Sequence, residues 1–242
     1  MGMAAVHTEW TVELLDSLPP EHPDALHNRR DLRLTNRIVG NHRWILHTLP
    51  PLLRPGDRVL EIGAGTGELG RALIARGVAV DALDLWPRPA EWPAGRAWHR
   101  SDLRSFGGYG DYAAIVGNLI FHQFSDDELR QLGERVRGSA RIVIACEPAR
   151  RRFSQVLFRA FGPLLGANHV SLHDAHVSIA AGFRGDELAR VLGLSEDWEV
   201  RARTTMLGVY RMAAVTRASC PRRADPLPAL RGQNARATAP SP

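Results

Sequence analysis

The chain has 242 residues, 44% of them hydrophobic, with a formal charge of +5 and only two cysteines, Cys146 and Cys220. That length buries one good core, so one domain with extensions is expected; two cysteines exclude a disulfide framework and a zinc cluster, and no apolar run is long enough to span a bilayer. All 31 basic residues are arginine, which excludes a Schiff-base lysine and a P-loop lysine. The positive charge is unevenly placed: Arg217, Arg222, Arg223, Arg231 and Arg236 face only Asp225 in the last stretch, a net +4, and the rest of the chain carries +1. Composition therefore demands no basic nucleic-acid face on the globular part. The first ten residues lack a basic start followed by an apolar core, so no signal peptide and a cytoplasmic location are expected.

In chain order, residues 1–50 read as a lead-in and helical cap. The first 20 or so look loosely packed, whereas Leu32, Leu34, Ile38, Val39, Ile45, Leu46 and Leu49 predict one or two amphipathic helices, with Gly40 as a break. Pro50, Pro51, Pro55 and Gly56 mark entry to a sheet domain over 51–216. Strand-like runs fall at 58–62, 78–83, 113–117, 140–146, 198–202 and 208–215, with helical patterns at 68–75, 126–136 and 184–192. Strands alternating with helices predict a doubly wound, mostly parallel α/β sheet of Rossmann-like type. Residues 147–182 form a long connection, apolar at Phe153, Val156, Leu157, Phe158, Phe161, Leu164 and Leu165, which predicts a helical lid. Residues 217–242, rich in Pro, Ala and Arg, have little to bury and are expected to be disordered.

The run Val59-Leu60-Glu61-Ile62-Gly63-Ala64-Gly65-Thr66-Gly67 carries the most information. An apolar strand ends in an acid, glycines follow at alternate positions, and a helix begins. Glycine permits positive φ and close approach of backbone to ligand, and strand, glycine loop and helix together make a cofactor cradle in parallel α/β folds. A dinucleotide fingerprint requires its third glycine where this chain has Glu68. The pattern E-x-G-x-G-x-G instead resembles motif I of the class I methyltransferases that use S-adenosylmethionine, which implies seven strands with an antiparallel last one.

That resemblance distributes roles along the chain. Glu61, Gly63, Gly65 and Gly67 would form the cradle. Asp84, followed by Leu85 and standing twenty-three residues after Glu61, would take both ribose hydroxyls; Asp81 competes for the role. Asp102 would accept from the adenine amine, with Leu103 presenting its N–H, although an Asp here also reads as a turn cap. Asn118 would close the central strand beside the methyl group; it is not followed by Pro-Pro-Tyr or Pro-Pro-Phe, so the signature of exocyclic-amine nucleic-acid methyltransferases is absent. His122 reads equally as a general base or as a packing residue. Pro87, Pro89 and Pro93 leave little room for a helix after Asp84, placing Trp86 and Trp92 on an irregular loop.

Several stretches narrow the resemblance: Arg29-Arg30-Asp31-Leu32-Arg33, Thr35-Asn36-Arg37, Asp84 through Pro93, Glu147-Pro148-Ala149-Arg150, Leu172-His173-Asp174-Ala175-His176 and Ala181 through Leu188. Together they resemble the small bacterial methyltransferases encoded beside type III polyketide synthases, over roughly residues 27 to 216. Membership implies a small, phenolic or acyl-bearing acceptor; O-methylation is the expected reaction, and C-methylation of an electron-rich ring is the nearest alternative, which the sequence does not separate from it. His173 would be the base, Asp174 its orienting partner and His122 the second choice. No metal is expected, although His169, His173, Asp174 and His176 lie close in sequence. No nucleic-acid partner or stable membrane insertion is expected, and the chain would be a monomer or homodimer. An RNA methyltransferase anchored by the arginine tail, or a non-catalytic cofactor-binding scaffold, are the alternatives from other classes.

Overall fold

The computed structural model describes residues 22–151, 169–194 and 196–219. The lead-in before residue 22, the apolar stretch 152–168 and the tail beyond 219 lie outside the described residues.

Seven strands form one sheet: β1 (Arg58–Ile62), β2 (Ala79–Asp84), β3 (Trp98–Arg100), β4 (Ala114–Asn118), β5 (Ile142–Pro148), β6 (Trp198–Thr204) and β7 (Val209–Thr216). Their order is β3-β2-β1-β4-β5-β7-β6. The first five run parallel, and β7 is antiparallel to both β5 and β6. The expected doubly wound sheet with an antiparallel end is thus present. The chain reverses its winding between β1 and β4, the kind of switch point where open α/β sheets bind ligands.

Six α-helices accompany the strands among the described residues: α1 (Pro23–Val39), α2 (Asn41–Thr48), α3 (Glu68–Ile74), α4 (Asp126–Arg137), α5 (His169–Ala180) and α6 (Glu187–Val191). Gly40 separates α1 from α2 in a left-handed conformation, φ 70°, and its N–H caps the Asn36 carbonyl. α4 opens on a capping box, in which Ser125 accepts from the Glu128 N–H and Glu128 accepts from the Ser125 N–H.

Four of the expected strands begin one or two residues later than their apolar runs do. In two of them the leading apolar residue closes the preceding helix instead: the Val78 N–H bonds the Leu73 carbonyl at 3.2 Å, and the Ala140 N–H bonds the Val136 carbonyl at 2.8 Å. β3 was absent from the expected strands. Its three residues pair with Ala82, Leu83 and Asp84, and so short and half-buried a segment has no alternation to read.

Side chains alternate across the sheet into two cores. Leu60, Ile62, Leu83 and Ile115 pack with Leu129, Leu132, Leu188 and Val191 from α4 and α6. Val59, Val80 and Val116 pack with Ile45, Leu49, Leu69, Leu73 and Trp92 beneath α2 and α3. Glu61, Asp84 and Asn118 have the parity of this second set. The polar ends of three strands therefore meet on the face that α1, α2 and α3 cover.

A Cβ added at Gly133 in α4 would lie 2.3 Å from the Leu192 carbonyl oxygen. The helix-propensity gain of Gly133→Ala, about 1 kcal/mol, is smaller than the overpacking cost of roughly 1–3 kcal/mol, because the obstructing atom is backbone and cannot turn away. Thermal unfolding should show Gly133→Ala melting below the wild type.

Candidate cofactor and acceptor site

The carboxyl ends of β1, β2 and β4 open into a cavity of about 590 Å³. Its wall includes Glu61, Gly63, Gly65, Asp84, Leu85, Asp102, Leu103 and Asn118, and it is closed from the other side by Arg33, Asn36 and His42 of α1 and α2. Gly67 stands just behind the wall: a Cβ there would lie 2.9 Å from the Trp92 ring.

Backbone conformation shapes the loop. Gly63 and Gly65 have φ of 62° and 55°, values open to glycine at no steric cost. A Cβ on Gly63 would press Ile120 at 2.5 Å, whereas a Cβ on Gly65 would meet nothing within 4 Å. The loop is thus packed on one side and open toward the cavity on the other. It is also tied to β2, with the Gly63 N–H on the Leu83 carbonyl at 2.9 Å and the Gly65 N–H on Asp84 Oδ2 at 2.7 Å.

The two acids of β2 diverge. Asp84, 6% exposed, also accepts from the Trp86 N–H at 2.8 Å and faces the cavity. Asp81 is occupied in the core by Arg58 at 2.6 Å, the Ala97 N–H at 2.9 Å and the Tyr112 hydroxyl at 3.2 Å. At the end of β3, Asp102 accepts from the Arg104 backbone N–H at 2.8 Å and its guanidinium at 2.5 Å. That guanidinium holds the Asp102 carboxyl below its usual range.

Glu61 is buried on the same face, and its Oε2 has no hydrogen-bond partner. A Cβ at Gly70 would come within 2.5 Å of that oxygen, so only glycine at this place in α3 leaves room for the carboxylate. Burial pushes the Glu61 pKa up to about 8, opposed by the Gly70 N–H and aided by the charge of Asp84.

Trp86 lines the cavity, and no helix intervenes between β2 and β3, as the prolines predict. Trp92 is instead buried at 2% exposure, edge-on to Trp98 at 5.1 Å, with its Nε1 on the Arg96 carbonyl.

His122, His173 and Asp174 do not line the cavity. His122 is buried, its Nδ1 2.6 Å from Oε2 of the wholly buried Glu147. The same carboxylate accepts from the N–H groups of Ile120 and Phe121 at 3.0 Å each and of His122 at 3.3 Å. Together these contacts hold the turn that follows Leu119, a non-glycine residue at φ 61°. His173 and His176 are exposed on α5, while Asp174 is buried. α5 packs on α1, where the Ser171 hydroxyl donates to Asp31 at 2.7 Å. Among the described residues no group of His, Cys, Asp and Glu side chains is arranged to hold a metal, and no helix is long and apolar enough to cross a membrane.

The cavity also contains Arg33, Asn36, His42, Gln123 and Phe124, to which sequence reasoning gave no role. Asn36 stood in the Thr35-Asn36-Arg37 stretch that marked the narrower resemblance, but nothing in the stretch said what it touches.

No protein-family model matches the chain. A segment is 42% identical over 99 residues to the ribosomal RNA small subunit methyltransferase C of Chromohalobacter salexigens, a match covering 36% of this chain and 29% of that protein. Among solved structures, the fold is similar to the plantazolicin methyltransferase BpumL in complex with SAH, at 12% identity and TM-score 0.64, over 84% of this chain and 93% of that one. Human N-acetylserotonin methyltransferase in complex with SAM follows at 12% identity and TM-score 0.56, over 83% and 61% of the two chains. The pyocyanin biosynthetic protein PhzM is 18% identical with a TM-score of 0.52, over 81% and 59%.

Ionising Glu61 in the fold is unfavourable, so its contribution to stability is fully present below about 4.5 and is lost as pH rises through about 8. Denaturant melts on either side of this window should show wild-type stability falling relative to Glu61→Gln as pH rises. Strand order, the glycine loop and these neighbours together show that the chain has the seven-stranded fold of the class I methyltransferases.

Proposed function

We propose that this chain is an S-adenosylmethionine-dependent methyltransferase that O-methylates a small hydrophobic acceptor of phenolic or polyketide type. The observation that carries the reading is the alignment of Glu61, Asp84 and Asp102 at the ends of three neighbouring strands along one cavity. The donor set fits the cofactor piece by piece. Asp84 suits the ribose hydroxyls, Asp102 with the Leu103 N–H suits adenine, and the orphaned Glu61 oxygen suits a cationic amino group. Gly65 leaves its side of the cavity open where any side chain would intrude.

The bound cofactor supplies an already activated methyl group on a sulfonium centre. The protein's work is then to align the acceptor, exclude water and take up the hydroxyl proton. Ile120, Leu119 and Phe124 give the acceptor end an apolar wall. In this reading His122 and Glu147 support the turn that carries that wall. The named activities of BpumL and human N-acetylserotonin methyltransferase, and the part of PhzM in pyocyanin biosynthesis, favour a small acceptor.

The partial match to a ribosomal RNA methyltransferase favours a second reading, an RNA substrate. Against it, Asn118 is followed by Leu119-Ile120-Phe121, without the Pro-Pro-aromatic signature.

Methyl-labelled S-adenosylmethionine incubated with the protein and host-cell extract, then fractionated into solvent-soluble, nucleic-acid and protein pools, separates the readings. Label is expected in the solvent fraction and absent with Gly65→Arg, which fills the open side of the loop. Label in RNA would replace the acceptor class, and no label in any pool would contradict the activity itself.

A further inference from the structure

Among the described residues, His42 is the one histidine that lines the cavity. Its place is fixed by the two residues before it. Gly40 turns the chain just before it, and its neighbour Asn41 is buried and locked to the central strand. Asn41 Nδ2 donates to Asn118 Oδ1 at 3.1 Å and to Asn36 Oδ1 at 3.2 Å, while Asn118 Nδ2 donates to Asn36 Oδ1 at 3.1 Å. Three amides from α1, α2 and β4 thus hold the start of α2 against the end of β4.

Of the charged groups on the elements packed against α2, Arg33 from α1 and Glu68 and Arg71 from α3 share the cavity with His42. Arg211 from β7 is turned away, its Nη2 on the Val39 carbonyl at 2.7 Å and its guanidinium over the Trp44 ring at 5.5 Å. Glu68 acts electrostatically on His42 and is itself 3.7 Å from Arg33 Nε. This is the residue that breaks the dinucleotide register of the glycine loop.

We propose that His42 takes the proton of the acceptor hydroxyl, with the Glu68 carboxylate steadying the ring as it becomes charged. The proposal rests on the methyltransferase reading. The acceptor O–H bond breaks and its proton passes to the unprotonated ring nitrogen. The oxygen pair bonds the methyl carbon, and the pair of the broken carbon–sulfur bond stays on sulfur. The sulfonium's positive charge is exchanged for an imidazolium, so no oxidant, reductant or further reactant is needed.

The protonation state suits the task. Burial lowers the His42 pKa below 6.5 and Glu68 offsets part of that, leaving the ring neutral and proton-accepting at neutral pH. Two of the carboxylates around it are otherwise engaged, Asp84 by the Gly65 and Trp86 N–H groups and Asp102 by Arg104, and burial keeps Glu61 protonated well above the usual carboxylate range. Glu91 is exposed at the rim.

The test uses full-length wild type, His42→Gln, Glu68→Gln and His173→Ala. Label transfer from methyl-labelled S-adenosylmethionine into solvent extract is followed across acid to alkaline pH, with cofactor binding measured in parallel by calorimetry. His42→Gln should bind the cofactor like wild type but lose roughly 10²–10⁴-fold in rate at neutral pH, the usual weight of a general base. Its loss should shrink in alkali, where a phenolic acceptor ionises unaided, which a merely structural lesion would not do. Removing the Glu68 charge lowers the His42 pKa further, so the acid limb of the rate profile should move to lower pH in Glu68→Gln. A His42→Gln rate close to wild type, an acid limb unmoved in Glu68→Gln, or a larger loss in His173→Ala than in His42→Gln would each overturn the role of His42 alone. No transfer by the wild type would overturn the methyltransferase reading and this role with it.

Discussion

The site is organised around a carboxylate in the core. Glu61 stands next to the end of β1, on the face it shares with Val59, and one of its oxygens has no partner. Leaving a polar atom in that state costs on the order of 1–3 kcal/mol, more for a charged group. The surroundings are fitted to it. α3 carries Gly70 where a methyl would collide with both the carboxylate and the Trp92 ring beside it. Trp92 in turn backs Gly67, where the loop enters the helix. An apolar residue in place of Glu61 would suit the core better, so the acid is costly to folding and has its rationale in the cavity.

The other walls are held by polar contacts between distant parts of the chain. The amide triad of Asn36, Asn41 and Asn118 joins the helical cap to β4, and Arg211 clamps the α1–α2 turn onto β7. Glu147 gathers three consecutive N–H groups and the His122 ring, fixing the turn whose Ile120 presses beneath Gly63. Burying that carboxylate is tolerable because it is so fully hydrogen-bonded. The cradle, the cap and the acceptor wall thus reach one cavity from elements far apart in sequence.

The sheet was legible because its signals are local. Apolar runs, turn glycines and the acid before the glycine loop each act within a few residues, and the resemblance to the class I methyltransferases that they opened pointed to Glu61, Asp84, Asp102 and Asn118, which the structure gathers at one cavity. β3 escaped because three residues, two half-buried and one exposed, carry no periodicity. Side-chain direction at the helical positions was not legible. His122 and His42 look alike in sequence, yet one ring meets Glu147, twenty-five residues on, and the other meets the cavity. His173-Asp174 reads as a catalytic pair when adjacent in sequence, but successive helical residues point apart, and here one is exposed and the other buried. Long-range packing set these directions.

Calorimetric titration of S-adenosylmethionine and, separately, a nicotinamide dinucleotide into the wild type and Asp84→Ala tests the central claim most directly. The account predicts one S-adenosylmethionine bound per chain, weakened by Asp84→Ala, and no binding of the dinucleotide, whose fingerprint Glu68 interrupts. Tighter binding of the dinucleotide, or S-adenosylmethionine binding indifferent to Asp84→Ala, would contradict it.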